Sequence, residues 1–175
     1  MADLRYPIGK FVFDSEPAGH EVRRLIDDIA DTPERLRAAV EGLSERQLDT
    51  PYRPDGWTVR QVVHHVPDSH VNSYVRFRLA LTETEPTIRP YDEARWAELT
   101  DARTAPVGMS LALLDSLHER WVVLLRSLSS SDLKLKFIHP EIGEVSLVKN
   151  VALYAWHGKH HVAHITSLRE RMGWL

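Results

Sequence analysis

Apolar residues recur at helical spacing through four long segments, and this periodicity limits the chain to a packing of helices. In the first segment Val22, Leu25, Ile26 and Ile29 fall at i, i+3, i+4 and i+7, the pattern of one buried face. Leu36, Val40 and Leu43 continue it beyond Thr32-Pro33-Glu34. Pro33 has no amide hydrogen, so it either opens a new helix or kinks this one. The pattern predicts one bent helix from about Ala18 to Gly42. A second helix starts at the capping box Thr58 to Gln61 and buries Val59, Val62, Val63, Val66, Tyr74, Phe77 and Leu81. A third runs from about Ser110 to Leu128 on Leu113, Leu114, Leu117, Trp121, Leu124, Leu125 and Leu128. The fourth runs from about Ser146 to Met172, with Leu147, Val151, Tyr154, Ile165 and Leu168 on its buried side. Between them, Ser44-Glu45-Arg46-Gln47 opens a short turn, Tyr91 to Leu99 predicts a short helix, and Phe137 to Val145 a turn or small hairpin. The fold class is therefore all-α, a four-helix bundle with short extra helices. A long connection, Thr82 to Met109, follows the second long helix; it is too long for a simple hairpin link, so the sequence does not fix an up-down-up-down order with short loops.

A length of 175 residues fits a single domain, 1–175, and no repeat or linker divides it. Cysteine is absent, which excludes a disulfide scaffold, a thiolate zinc site and a cysteine nucleophile. A net charge of -3 gives no strong pull toward nucleic acid or anionic membrane, so neither is expected as a partner. The opening residues lack an apolar stretch behind a basic region, and no window approaches ~20 continuous apolar residues. A cytoplasmic protein without a membrane span is the expectation. Histidine is the unusual residue, at 10 copies. Without thiolates, a metal site here must rely mainly on nitrogen and oxygen.

Seven histidines form two clusters. His64, His65 and His70 lie in the second long helix, and His157, His160, His161 and His164 in the last. His118 stands alone on the third, and His20 and His139, at or near loops, read as solvated. Residues four apart on a helix share a face, with Cβ atoms about 5–6 Å apart, so two imidazoles can converge on one ion. The last helix offers His157/His161 and His160/His164. Taking ~100° per residue, the apolar stripe centres roughly 70° from His157, with His161 at about 40°, His164 at about -20° and His160 at about -60°. The pair nearest the core is His157/His161, and His160 points most toward solvent. In the second helix only His70 falls on the stripe, so periodicity leaves the choice there open and leans to His70.

Larger blocks of sequence carry a resemblance. Tyr6-Pro7-Ile8-Gly9-Lys10, Asp49 to Arg53, Gly56 to His65, Asp68-Ser69-His70, Asn72-Ser73-Tyr74, Ile88 to Asp92, and His157 to Ile165 together resemble the YfiT-like metal-dependent hydrolases of the DinB superfamily. The resemblance covers nearly the whole chain. It implies a DinB-type four-helix bundle and a divalent metal held by three histidines, here His65, His157 and His161. It also implies zinc or nickel, one ion per chain, and a cytoplasmic homodimer. Against the family pattern, Val66-Pro67 stands where Leu-Ala is usual. Pro67 removes a backbone bond to Val63 at a cost of ~3 kcal/mol and predicts a kink beside His65. Gly158, between two of the implied ligands, lowers helix propensity by ~1 kcal/mol relative to alanine.

Around these ligands Asp68 and His164 are candidates to orient a ring by hydrogen bonding. Arg60 and Arg76 read as exposed helix charges, and Trp57 and Trp156 as core. Histidines 64 and 160 point away from the implied centre. No phosphate loop or serine-nucleophile motif is present. Three neutral histidines leave an open position on a divalent ion, the construction of catalytic sites. Hydrolysis of a small-molecule substrate is the first expectation, although no Glu follows the first histidine as in H-E-x-x-H; Gly158 stands there. The alternatives are a thiol S-transferase acting on a low-molecular-weight thiol, as in some DinB-superfamily members, and a non-catalytic metal-binding bundle.

Overall fold

A computed structural model describes residues 3–174. The elements in order are α1 (Gly19–Ala30), α2 (Thr32–Val40), α3 (Glu45–Leu48), α4 (Val59–Thr82), α5 (Glu93–Trp96), α6 (Thr100–Thr104), α7 (Val107–Ser127), β1 (Lys136–His139), β2 (Gly143–Ser146) and α8 (Leu147–Met172). The expected bent first helix is instead two helices parted at Asp31. The last amide to close α1 is that of Asp31, on Asp27 O, and Pro33 occupies the first turn of α2, where a missing N–H costs least. The short helix expected over 91–99 is only Glu93–Trp96, and α6 is an element the periodicity did not reveal.

The α4 start follows its sequence closely: Thr58 accepts from the Gln61 amide, and the Gln61 side chain accepts from the Thr58 amide in return. Although Pro67 lies inside α4, the helix continues across it to Thr82. Ser146 caps α8, and β1 and β2 pair antiparallel with Lys136 opposite Ser146 and His139 opposite Gly143.

Packing defines the topology. Helix α1 packs on α7 and α8, and α4 also packs on α7 and α8. Successive long helices α1 and α4 therefore lie across a diagonal of the bundle, as do α7 and α8. A plain up-down-up-down bundle would place them side by side. The core has two apolar halves. One gathers Ile29, Phe77, Trp121, Leu125, Leu147 and Val151; the other gathers Leu36, Val62, Val63, Leu114, Ile165 and Leu168. Along α4, α7 and α8 the stretch between these halves carries His65 to His70, His118, and His157 to His164. The bundle is thus divided at mid-height by a layer of imidazoles.

Arg60 corrects the expectation of an exposed helix charge. Its side chain is only 4% exposed, and it donates to Asp49 at 2.7 Å, to Glu45, and to the Ala105 carbonyl at 3.0 Å. It ties α3 and the end of α6 to α4. The two carboxylates are themselves exposed and regain water when the guanidinium is removed, so Arg60→Leu is expected to cost about 2 kcal/mol rather than the full cost of breaking a buried pair. A urea unfolding midpoint unchanged in this variant would contradict the role.

Candidate metal centre

One ring nitrogen from each of His65, His157 and His161 lies within 4.8 Å of the others. His65 Nε2 is 3.4 Å from His157 Nε2, and the His161 ring centroid lies 4.4 Å from that of His157 and 4.7 Å from that of His65. The i, i+4 spacing on α8 brings the last two together, and packing of α4 against α8 supplies the third. His65 and His161 are buried, while His157 is partly exposed to a cavity of about 690 Å³ that all three line. The cavity walls come from loops: Arg5 and Tyr6 near the start of the chain, the 52–57 turn, Pro90 and Tyr91, and the β1–β2 tip. The 52–57 turn is tight. Asp55 has a φ of 55°, and a Cβ on Gly56 would meet Arg53 Cγ at 2.6 Å.

Burial sets the protonation of the three rings. It pushes His65 down to about 4 and both His157 and His161 well below the usual histidine value, with neighbouring imidazoles adding to the effect. Each ring is therefore neutral near pH 7 and has a lone pair to offer a metal. A compact set of three neutral nitrogen donors beside an open cavity fits a divalent transition-metal ion.

Behind the centre lies a feature that spacing did not predict as part of the site. His157 Nδ1 is 3.1 Å from His70 Nε2, His70 Nδ1 is 2.8 Å from His118 Nε2, and His118 Nδ1 is 2.8 Å from the Ile29 carbonyl. The stripe did place His70 inward, and it is fully buried against Trp121 and Tyr154, but its contact is with a member of the triad. A signal for His118 was present: Leu114, His118, Trp121 and Leu125 follow the 4-3-4 spacing of a buried face.

The remaining candidates are placed as follows. Asp68 is half-buried, and that burial, with the charge of Asp101 adding to it, raises its pKa to about 6; it hydrogen-bonds to none of the three rings. His164 Nε2 donates to the Arg5 carbonyl at 3.1 Å and its ring stacks on Tyr52. Two expectations of exposure are corrected. His64 is buried between Ser110 Oγ and the Ala105 carbonyl, because the connection after α4 folds over it. His160 is also buried, stacked on Trp156 and covered by Tyr6 from the N-terminal segment. A helical wheel reports its own helix's stripe and nothing of what loops later cover. Nor is His139 fully solvated: it is partly buried and lines the cavity. Trp57 and Trp156 line it too, Trp57 against the His65 ring, rather than sitting in the core. Of the two cations expected on the surface, Arg76 is also a wall residue. His20 is exposed, as expected.

With this geometry in place, likeness to known proteins becomes informative. Residues 28–165 match the family model of the DinB superfamily. The chain belongs to the DinB superfamily. A relative from Bacillus mycoides (strain KBAB4) is 58% identical over 174 residues, spanning 99% of this chain and 100% of its own length. One from Bacillus cereus (strain B4264) has the same identity and coverage, and both carry the name "Putative metal-dependent hydrolase". Among solved structures, YfiT from Bacillus subtilis superposes with a TM-score of 0.97 at 49% identity, covering 99% of this chain and 100% of that one. YfiT is described as a probable metal-dependent hydrolase with an unusual four-helix bundle topology. The diagonal placement of successive helices gives this DinB bundle its own departure from a simple order.

Proposed function

We propose that this DinB-superfamily protein is a metal-dependent hydrolase in which His65, His157 and His161 hold one divalent ion per chain, zinc or nickel. The observation that carries the proposal is the convergence of three neutral ring nitrogens within 4.8 Å at the wall of a cavity large enough for a small-molecule substrate. A divalent ion held by His65, His157 and His161 would supply Lewis acidity to a substrate carbonyl or to water at the cavity wall.

The chain's own residues supply the surroundings. Ser69 Oγ lies 3.4 Å from His157 Nε2 and 3.2 Å from Tyr154 OH, so a hydroxyl borders the centre and can hydrogen-bond a substrate oxygen. Burial raises the pKa of Tyr91 in the cavity wall, which keeps it a phenol and a hydrogen-bond donor. Trp57 covers the His65 ring and limits water on that side. Among the described residues no carboxylate hydrogen-bonds to the three rings. That observation favours a second reading, attack by a low-molecular-weight thiol on an electrophile. A thiol ionises near pH ~8.5 and needs less help from a protein base than water does.

The test is elemental analysis after loading with zinc or nickel and dialysis, paired with turnover assays. One ion per chain is expected in the native protein, and none in His157→Ala or His161→Ala. His160→Ala is expected to keep the ion, although loss of the stacked ring lowers its melting temperature. Unchanged stoichiometry in His161→Ala would sink the ligand assignment. Turnover of esters or amides supports hydrolysis; turnover only of a thiol with an electrophile replaces it with S-transfer; tight binding with neither leaves a non-catalytic metal protein.

A further inference from the structure

We infer that His70 and His118 are positioning residues that lock His157 in the tautomer whose Nε2 lone pair faces the three-histidine centre, with the Ile29 carbonyl as their anchor. The metal-binding consequence rests on the ligand reading proposed above; the tautomer itself does not.

The direction of every bond follows from one end. A carbonyl oxygen only accepts, so His118 Nδ1, 2.8 Å from Ile29 O, carries the hydrogen. A neutral imidazole has one N–H, so His118 Nε2 accepts, and the atom 2.8 Å from it, His70 Nδ1, donates. His70 Nε2 then accepts, and His157 Nδ1, 3.1 Å away, donates to it. His157 Nε2 is left without a proton, and this is the atom 3.4 Å from His65 Nε2. Three neutral rings bring three N–H groups to three links, and the count closes. Reversing His118 would aim a lone pair at the carbonyl and set two N–H groups face to face, reversing His70 would spoil the links on both sides of it, and reversing His157 would set two lone pairs face to face, in a layer walled by Trp121 and Tyr154.

The anchor is available because of the sequence at the α1–α2 junction. In a continuous helix the Ile29 carbonyl would accept from the amide four residues on. That residue is Pro33, which has no N–H. The proline that parts the two helices thus frees the one acceptor that orients the chain of imidazoles. Ring nitrogens of metal-bound histidines are commonly held this way by a carboxylate or carbonyl. Here the carbonyl acts through two intervening rings.

The test uses metal-free protein with 15N-labelled histidine rings, assigned by single variants. At pH 7.5 His157, His70 and His118 are each expected to show a protonated Nδ1 and a pyridine-type Nε2. A protonated Nε2 on His157, or an imidazolium in any of the three, overturns the inference. In a second arm, zinc affinity is measured by chelator competition. His118→Phe keeps an aromatic ring but removes the link to Ile29, and it lies outside the cavity. It is expected to bind zinc 10- to 100-fold more weakly. His70→Gln, whose amide oxygen and nitrogen replace the ring acceptor and donor, is expected to hold affinity within about 3-fold, whereas His70→Leu falls by the larger factor. Native affinity in His118→Phe overturns the inference. If instead His157→Ala binds zinc as the native protein does, the ligand assignment fails while the tautomer result stands.

Discussion

Metal-free protein is expected to unfold steeply between about pH 6 and pH 4, well before its carboxylates titrate as a group. The cause is the imidazole layer. His64, His65, His70, His118, His157, His160, His161 and His164 all have lowered pKa values in the fold, and burial is the largest cause for each. A histidine neutral in the native state and free to protonate when unfolded contributes stability that is present above its unfolded pKa of ~6.5. That stability is lost as pH falls toward the folded value. Each such group contributes a slope of up to ~1.36 kcal/mol per pH unit, so half of the eight acting together gives about 5 kcal/mol per unit. Domains of this kind have only ~5–15 kcal/mol to lose. One group works in the opposite sense. Asp68, raised to about 6, is disfavoured as an anion in the fold and gains on acidification, offsetting about one histidine. Saturating zinc at 1,000 times its Kd adds ~4 kcal/mol and should lower the midpoint by somewhat under one pH unit. Metal lost on acidification then reports unfolding more than protonation of a ligand inside the intact site. The measurement is helical circular dichroism against pH with and without zinc. A shallow transition below pH 3 would show that the histidines are not the acid-sensitive element.

The second large effect is expected at Gly158. Alanine is the better helix former by ~1 kcal/mol, and position 158 lies inside α8, so local propensity alone forecasts a stabilised protein. Tertiary contact forecasts the reverse. A Cβ there would meet Thr32 Oγ1 at 2.4 Å, Cγ2 at 2.8 Å and Cβ at 3.2 Å. Thr32 cannot swing away easily: it is β-branched, 2% exposed, and its hydroxyl donates to the Asp28 carbonyl. Overpacking of this kind costs ~1–3 kcal/mol and at times more. Gly158→Ala should therefore be destabilised by about 2 kcal/mol net, a fall of roughly 4–8 °C in melting temperature for a chain of this size. Adding Thr32→Ala should recover most of the loss, giving a coupling energy of at least ~1 kcal/mol. A Gly158→Ala protein as stable as the native one would refute the contact. Because the residue lies between His157 and His161, zinc affinity should fall with stability and return in the double variant.

Periodicity was sufficient for the bundle, because side chains at positions 147, 151, 154, 165 and 168 register one buried face regardless of their partner. It could not choose in α4. His70 lies on the stripe because it fills the core, while His65 lies well off that stripe and reaches the triad on a face where a cavity replaces apolar contact. The resemblance rather than the wheel pointed to His65. Loops account for most of the rest. The cover over His160 comes from Tyr6, and the cover over His64 from Ala105 and Ser110, contacts between segments with no shared periodicity. The role of Gly158 was hidden for the same reason: its value lies in Thr32, on another helix.

The separation of the three rings along the chain bears on when the centre can exist. His65 and His157 are 92 residues apart, and the second pairs with His161 on α8, the last helix of the fold. A polypeptide emerging from its N-terminus presents only one of the three rings, that of His65, until α8 has been synthesised and docked. An ion captured at this centre is therefore acquired after translation of the bundle and stabilises a nearly finished structure instead of seeding one. Chelators present during synthesis should leave the yield of folded apoprotein unchanged, and metal supplied afterwards should load it in full.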